Sequence, residues 1–130
     1  MSSTSSIPSA VRLHKASRKL ELEYTDGECI QIPCELLRVY SPSAEVRGHG
    51  PGQATLQQGK RMVTIDQIQG VGNYALQFVF SDGHDSGIYS WSYLLEIGRN
   101  QLQMWEDYLQ RLAHVDGTRE PQGPVLIARQ

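Results

Sequence analysis

The residue types that could do chemistry concentrate in one stretch, "DGHDSGIYSW", residues 82 to 91. Asp82, His84, Asp85, Ser86 and Tyr89 are carboxylates, an imidazole, a hydroxyl and a phenol: the parts of an acid–base relay or of a metal site. Ser86 is two residues from His84 with Asp85 between. Neighbours on an extended chain point to opposite faces, so these three do not line up as nucleophile, base and orienting acid. No G-x-S-x-G elbow occurs elsewhere. Zinc needs convergent Cys, His or carboxylate ligands, and His14, His49, His84 and His114 form no short-spaced pair. His114-x-Asp116 has a suggestive spacing for non-haem iron, but it lies at a helix end with no histidine after it. The stretch therefore reads as a turn. Asp82-Gly83 reverses the chain, Asp85 or Ser86 bonds backbone groups, and Gly87 permits close backbone approach. Ile88 and Trp91 are expected in the core, with His84 and Tyr89 exposed.

Other candidates are weaker. "GHGPGQ", residues 48 to 53, is glycine-rich but lacks a preceding strand and the G-K-[ST] ending of a phosphate loop. Cys29 and Cys34 make no C-x-x-C pair and read as reduced thiols, at least one of them buried. Cys34, after Pro33 at a helix start, is where a lowered thiol pKa is expected on electrostatic grounds. The net charge of −2 gives no overall drive towards nucleic acid or an anionic membrane. Arg12, His14, Lys15, Arg18 and Lys19 read as a solvated edge strand. No apolar run approaches the roughly 20 residues of a membrane helix, and the start lacks a secretory pattern. The expected compartment is the cytoplasm.

The elements that must position these residues follow from periodicity. Leu20, Leu22 and Tyr24 alternate with Lys19, Glu21 and Glu23 in a half-buried strand. Asp26-Gly27 turns it into a second strand carrying Ile30 and Ile32. Pro33 ends that strand, and "CELLRVY" forms a short helix. Residues 41 to 60 read as one long loop with a turn of helix around Ala44. Residues 62 to 80 give two strands bent at Gly70 and Gly72-Asn73. Leu76, Phe78 and Phe80 share one face of the second, with Ala75 and Val79 on the other. After the 82 to 91 turn a helix starts at Trp91. "YTDGECIQIPCELLR" and "FSDGHDSGIYSWSYLLE" share a plan: strand, Asp-Gly turn, strand, short helix with a Leu-Leu pair. Residues 100 to 115 form the longest helix. Asn100 with Gln103 is its expected cap, Leu102, Trp105, Leu109 and Leu112 its buried stripe, and Asp107 with Arg111 a surface pair. The fold class is α+β: antiparallel β-hairpins with short helices and a longer C-terminal helix. A single domain is expected over 11 to 115, with a flexible leader over 1 to 10 and a flexible tail over 116 to 130.

"LLRVYSPSAEVRGHGPGQ", "VGNYALQFVFSDGHDSGIYSW" and "YLLEIG" closely resemble small bacterial proteins related to the N-terminal domain of gamma-butyrobetaine hydroxylase, over residues 11 to 98. In the larger hydroxylases this domain precedes the iron- and 2-oxoglutarate-dependent catalytic domain and is not itself catalytic. The resemblance implies a structural zinc held by three cysteines and one histidine. Aligned on Leu37-Arg38, those cysteine positions fall on Ser41, Ser43 and Val46, and the histidine on His84. Serine and valine are poor zinc ligands where thiolates are expected, so no metal and no cofactor is expected. The domain also resembles a segment attached to certain P-loop ATPases that carry iron–sulfur clusters. That implies an alternative role as an accessory module in metal handling or cluster assembly.

The resulting expectation is a non-enzymatic binding or adaptor domain with a protein partner, without nucleic acid or membrane, as a monomer or weak homodimer through the last helix. Its expected binding surface joins the long loop to the 82 to 91 turn through Ser41, Ser43, His49, His84, Asp85 and Tyr89.

Overall fold

A computed structural model describes residues 6–48 and 54–121. Two β-meanders, each followed by a helix, make up the α+β fold. In the first, β1 (Ala10–His14), β2 (Lys19–Glu23) and β3 (Cys29–Pro33) form an antiparallel sheet in that order, and α1 (Cys34–Val39) follows. After the one-turn α2 (Ala44–Arg47), the second sheet runs β4 (Ile65–Val71), β5 (Ala75–Phe80) and β6 (Ile88–Ser90). It is followed by α3 (Trp91–Arg99) and α4 (Gln101–His114). Among the described residues no helix is long and apolar enough to cross a membrane.

The internal echo in the sequence is an echo in structure. In the first unit the Tyr24 amide donates to Glu28 O and the Gly27 amide to Tyr24 O, while Asp26 Oδ1 accepts from the Glu28 amide. In the second, the Phe80 amide donates to His84 O and the Gly83 amide to Phe80 O, while Asp82 Oδ1 accepts from the His84 amide. Gly27 and Gly83 sit at φ 92 and 91, a conformation that a side chain disfavours. Each aspartate bonds its own backbone two residues on, which fixes the turn. His84 is thus the positional counterpart of Glu28.

Alternation places Leu20, Leu22, Ile30 and Ile32 in the core, with Leu20 opposite Ile32 and Leu22 opposite Ile30. Phe78, Phe80, Ile65 and Tyr89 of the second sheet join the same cluster as Leu94 and Ile97 of α3. Val79 and Gln77 are half-buried, so β5 has one fully covered face. The two units meet where α3 lies on β3. A Cβ on Gly98 would stand 2.5 Å from Ile30 Cγ2, so only glycine allows this approach.

The last helix packs half of the expected stripe, Trp105 and Leu112, against the core and leaves Leu102 and Leu109 outside. Leu102 is 84% exposed and Leu109 39%, while Tyr108 and Leu112 are buried and Met104 and Trp105 pack against the core. The docked stripe keeps Trp105 and Leu112 and takes Met104 and the large aromatic Tyr108 in place of Leu102 and Leu109. Asn100 precedes the helix without a side-chain cap bond, because its Nδ2 donates back to Glu96 O. Gln103 donates to Asp107, and Arg111 turns to Tyr40 instead of Asp107. Residues 117 to 120, assigned by sequence to the tail, are bonded to the rest of the fold. The amides of Gly59 and Arg61 donate to Thr118 O and Arg119 O, and Arg119 pairs with buried Glu35 through two 2.8 Å bonds.

Candidate functional site

The α1–α2 connection and the β5–β6 turn are neighbours. Ser41 Oγ lies 2.8 Å from His84 Nε2, and Ser43 Oγ lies 2.7 Å from Ser86 Oγ. Glu45 closes the ring: its Oε1 stands 3.1 Å from His84 Nδ1 and accepts from Ser86 Oγ at 2.7 Å. With that carboxylate accepting from Nδ1, Nε2 is left to accept from the Ser41 hydroxyl. Ser43 also caps α2, accepting from the Glu45 amide.

This arrangement overturns two expectations. His84 and Tyr89 are not exposed: His84 is 8% accessible and Tyr89 0%. Ser41 and Ser43 are buried as well. The Tyr89 hydroxyl donates to Leu37 O at 2.6 Å, and its ring lies 4.8 Å from that of Phe78. Of the expected surface set only Asp85 is exposed, and its carbonyl accepts from Gln77 Nε2. His49 lies outside the described residues. Ile88, expected in the core, is 46% exposed, while Trp91 is half-buried with Nε1 donating to Asn73 O. β6 is only three residues long, and its one core-facing position goes to Tyr89.

Ser41, His84 and Glu45 stand in the order of a nucleophile, a base and an orienting carboxylate. The sequence concealed this line because Ser41 and Glu45 come from the other segment. The serine is wholly enclosed, at 0% accessibility, and a Cβ on Gly87 would collide with its hydroxyl. Burial lowers the His84 pKa from its ordinary value, reinforced by the nearby Arg38 guanidinium and opposed by Glu45 and Asp82. Beside the ring, Asp82 Oδ2 accepts from Arg38 Nε at 2.9 Å and from Lys60 Nζ at 2.6 Å. Burial of Asp82 works against its ionisation, but the Lys60 bond, the His84 amide and Arg38 outweigh it and its pKa falls.

Only the serine end of the ring is enclosed: Glu45 and Ser86 are exposed, and a shallow pocket of about 400 Å³ opens on Glu45, Asp82, His84 and Ser86. A second open feature lies on the other side of the α1–α2 connection. A cleft of about 290 Å³ runs between the α1–α2 connection, the 54–57 segment, α3 and α4, floored by Val39, Val46, Leu56 and Met104. Its walls are held fixed. Tyr40 Oη donates to Met104 O at 2.7 Å, and Tyr93 Oη donates to Tyr40 O at 2.6 Å. Arg47 stacks 4.9 Å above the Tyr93 ring, and Arg111 stacks 5.3 Å above Tyr40 while donating to its hydroxyl. The cleft continues into an open groove of about 790 Å³ along Leu56, Gln110, Arg111, His114 and Val115. Sequence reasoning missed Tyr40, Arg47 and Arg111, which come from three elements and share no motif.

Residues 11–95 match the family described as gamma-butyrobetaine hydroxylase-like, N-terminal. The chain belongs to this family. Two relatives solved by NMR in solution share 45% and 43% identity with it. The first alignment covers 95% of this chain and 98% of the relative at TM-score 0.77; the second covers 100% and 98% at 0.75. A crystal structure from Acidithiobacillus ferrooxidans, described as a protein of unknown function in the DUF971 family, is 33% identical. It covers 75% of this chain and 98% of its own, at TM-score 0.62. No curated protein matches the chain.

The gamma-butyrobetaine hydroxylase-like resemblance also implied a zinc, and the residues present do not fit one. Of the four positions, Val46 has no donor atom. Ser41 and Ser43 offer hydroxyls already bonded to His84 and Ser86, and both His84 nitrogens are engaged. Nor do the thiols converge on a cluster. Cys29 is exposed and donates to Glu21 Oε2, whereas Cys34 is buried at the other end of β3 beside Thr64. Burial raises the Cys34 pKa, against the expected lowering, because desolvation of the thiolate outweighs the hydrogen bonds from Thr64 and the Ile65 backbone and the charge of Arg18.

Proposed function

We propose that this chain is a non-catalytic binding module, an adaptor that holds a protein partner in the cleft between the α1–α2 connection and α4. One contrast carries the reading. Ser41 borders the cleft but has no accessible surface, so the acid–base line Ser41–His84–Glu45 is closed to substrate at its nucleophile, while the cleft itself is open and its walls are fixed by hydrogen bonds. The Ser41, Ser43 and His84 ring then acts as a scaffold. It ties the α1–α2 connection to the β5–β6 turn, and so holds Arg47 and Val46 of α2 at the edge of the cleft. Pre-formed walls reduce the ordering penalty of binding.

Two measurements test this. A fluorophosphonate probe reports an activated serine, and no labelling of Ser41 is expected in the folded protein. A photo-crosslinking residue at Gln110 in the groove is expected to give a discrete protein adduct in cells, and one at Gln69 on the exposed part of β4 none. Stoichiometric labelling of Ser41, or identical adducts from both positions, would overturn the reading.

A further inference from the structure

Arg18 aside, the described arginines fall into two groups. Arg12, Arg38, Arg61, Arg99 and Arg119 each pair with a carboxylate. Arg47 and Arg111, the two that line the cleft, do not pair with one among the described residues. Each is laid on a tyrosine ring instead. A guanidinium over a ring keeps N–H groups at its edge; Arg111 gives one of them to the Tyr40 hydroxyl, and the N–H groups that remain on both arginines can receive a carboxylate. Glu96 and Asp107 also line the walls and are exposed; Asp107 is bonded to Gln103. Between the two arginines the floor is apolar, with Val46, Leu56 and Met104.

The extent of the surface sets the size of the ligand. Cleft and groove run along α4 from Met104 to Val115, about 16 Å at helical rise. That span matches roughly five residues of extended chain and is longer than a simple carboxylic acid. Side chains of such a chain alternate, so acidic residues facing the arginines and apolar residues facing the floor fit one strand-like segment. We infer that the cleft takes an extended acidic peptide segment of a partner protein, its carboxylates on Arg47 and Arg111 and an apolar side chain between them over Val46, Leu56 and Met104. This rests on the binding-module reading and adds the chemistry of the partner. The two tyrosines lower the ordering cost of binding, since they hold both guanidiniums in place before the ligand arrives.

The test is an NMR titration of the ¹⁵N-labelled full chain with two end-capped five-residue peptides, one alternating glutamate with leucine and one with lysine in place of glutamate. The glutamate peptide is expected to shift the amides of Arg47, Leu56, Met104 and Arg111. Arg47→Gln and Arg111→Gln are each expected to weaken it at least fivefold, with the rest of the amide spectrum unmoved. Because Arg111 also holds Tyr40, Arg111→Lys serves as a second variant that keeps the charge but not the forked geometry, and an intermediate loss is expected. If the lysine peptide shifts the same amides as strongly, or the arginine variants bind the glutamate peptide unchanged, the acidic class is wrong and the binding cleft stands. If neither peptide moves the cleft residues at millimolar concentration, the inference and the cleft reading both fail.

Discussion

Removing the Tyr89 hydroxyl tests whether the 82 to 91 stretch is a structural element. Tyr89 is fully buried, and its hydroxyl donates to Leu37 O at 2.6 Å. That carbonyl belongs to the last turn of α1. The Tyr40 amide donates to Leu36 O and the Ser41 amide to Arg38 O, so neither serves Leu37. Tyr89→Phe keeps the ring against Phe78 and Phe80 and removes one donor. A carbonyl left unpaired in a dry site costs about 1–3 kcal/mol. For a domain of this size that is a fall in Tm of about 4–10 °C. The assay is urea denaturation at pH 7, with the midpoint lowered and the m-value unchanged. Tyr74→Phe, at a 58% exposed position, is the control and should not move the midpoint. If Tyr89→Phe is as stable as the parent, the carbonyl has another partner and the anchoring role is refuted. Burial also raises the Tyr89 pKa. Its stability contribution is therefore complete below the ordinary phenol value of 10.0 and declines as the pH rises above it.

His84 gives the opposite dependence. Its pKa is lowered from 6.5 by burial and by Arg38, so its contribution is present above 6.5 and lost as the pH falls through the folded value. Melting temperatures from pH 7.5 to 5 should drop, and His84→Gln should flatten the profile; an unchanged slope would remove His84 as the cause. The depressed pKa of Asp82 acts only at lower pH, below its ordinary 3.8. Gly98→Ala places a methyl 2.5 Å from Ile30 Cγ2. Overpacking at about 1–3 kcal/mol exceeds the helix-propensity gain of at most about 1 kcal/mol, so chemical denaturation should show a net loss, and a more stable variant would contradict the packing. Native protein should expose one reactive thiol to an aromatic disulfide reagent and denatured protein two. Cys29 should react slowly for an exposed thiol, because its hydrogen bond to Glu21 raises its pKa, and Glu21→Gln should accelerate it several-fold; an unchanged rate would mean that the bond does not form in solution.

Much of the architecture was legible because it is local. Period-two alternation set β2 and β3, and the Asp-Gly pairs set both turns, since glycine relieves the steric cost of positive φ and aspartate bonds its own backbone. The repeated strand–turn–strand–helix plan survives down to matching hydrogen bonds at Asp26 and Asp82. The face of α4 was read correctly at Trp105 and Leu112 but not at Leu102 and Leu109, because Leu102, Met104, Trp105, Tyr108 and Leu109 offer two overlapping apolar stripes. The choice between them depends on the surface the helix meets.

The site divides in the same way. The sequence by itself, through the quoted motifs, determined the family, the α+β class, and the nearness of Ser41 and Ser43 to His84. It did not determine which side of the surface those residues lie on. Extended chain alternates, but a three-residue strand following an irregular turn gives no period to read, so the burial of His84 and Tyr89 was decided by the packing of α1 against the second sheet. Only the tertiary structure joined Tyr40, Arg47, Tyr93 and Arg111 into one cleft. Their spacing along the chain follows no helix or strand period, and their contacts exist only once α2, α3 and α4 have docked around Val46, Leu56 and Met104.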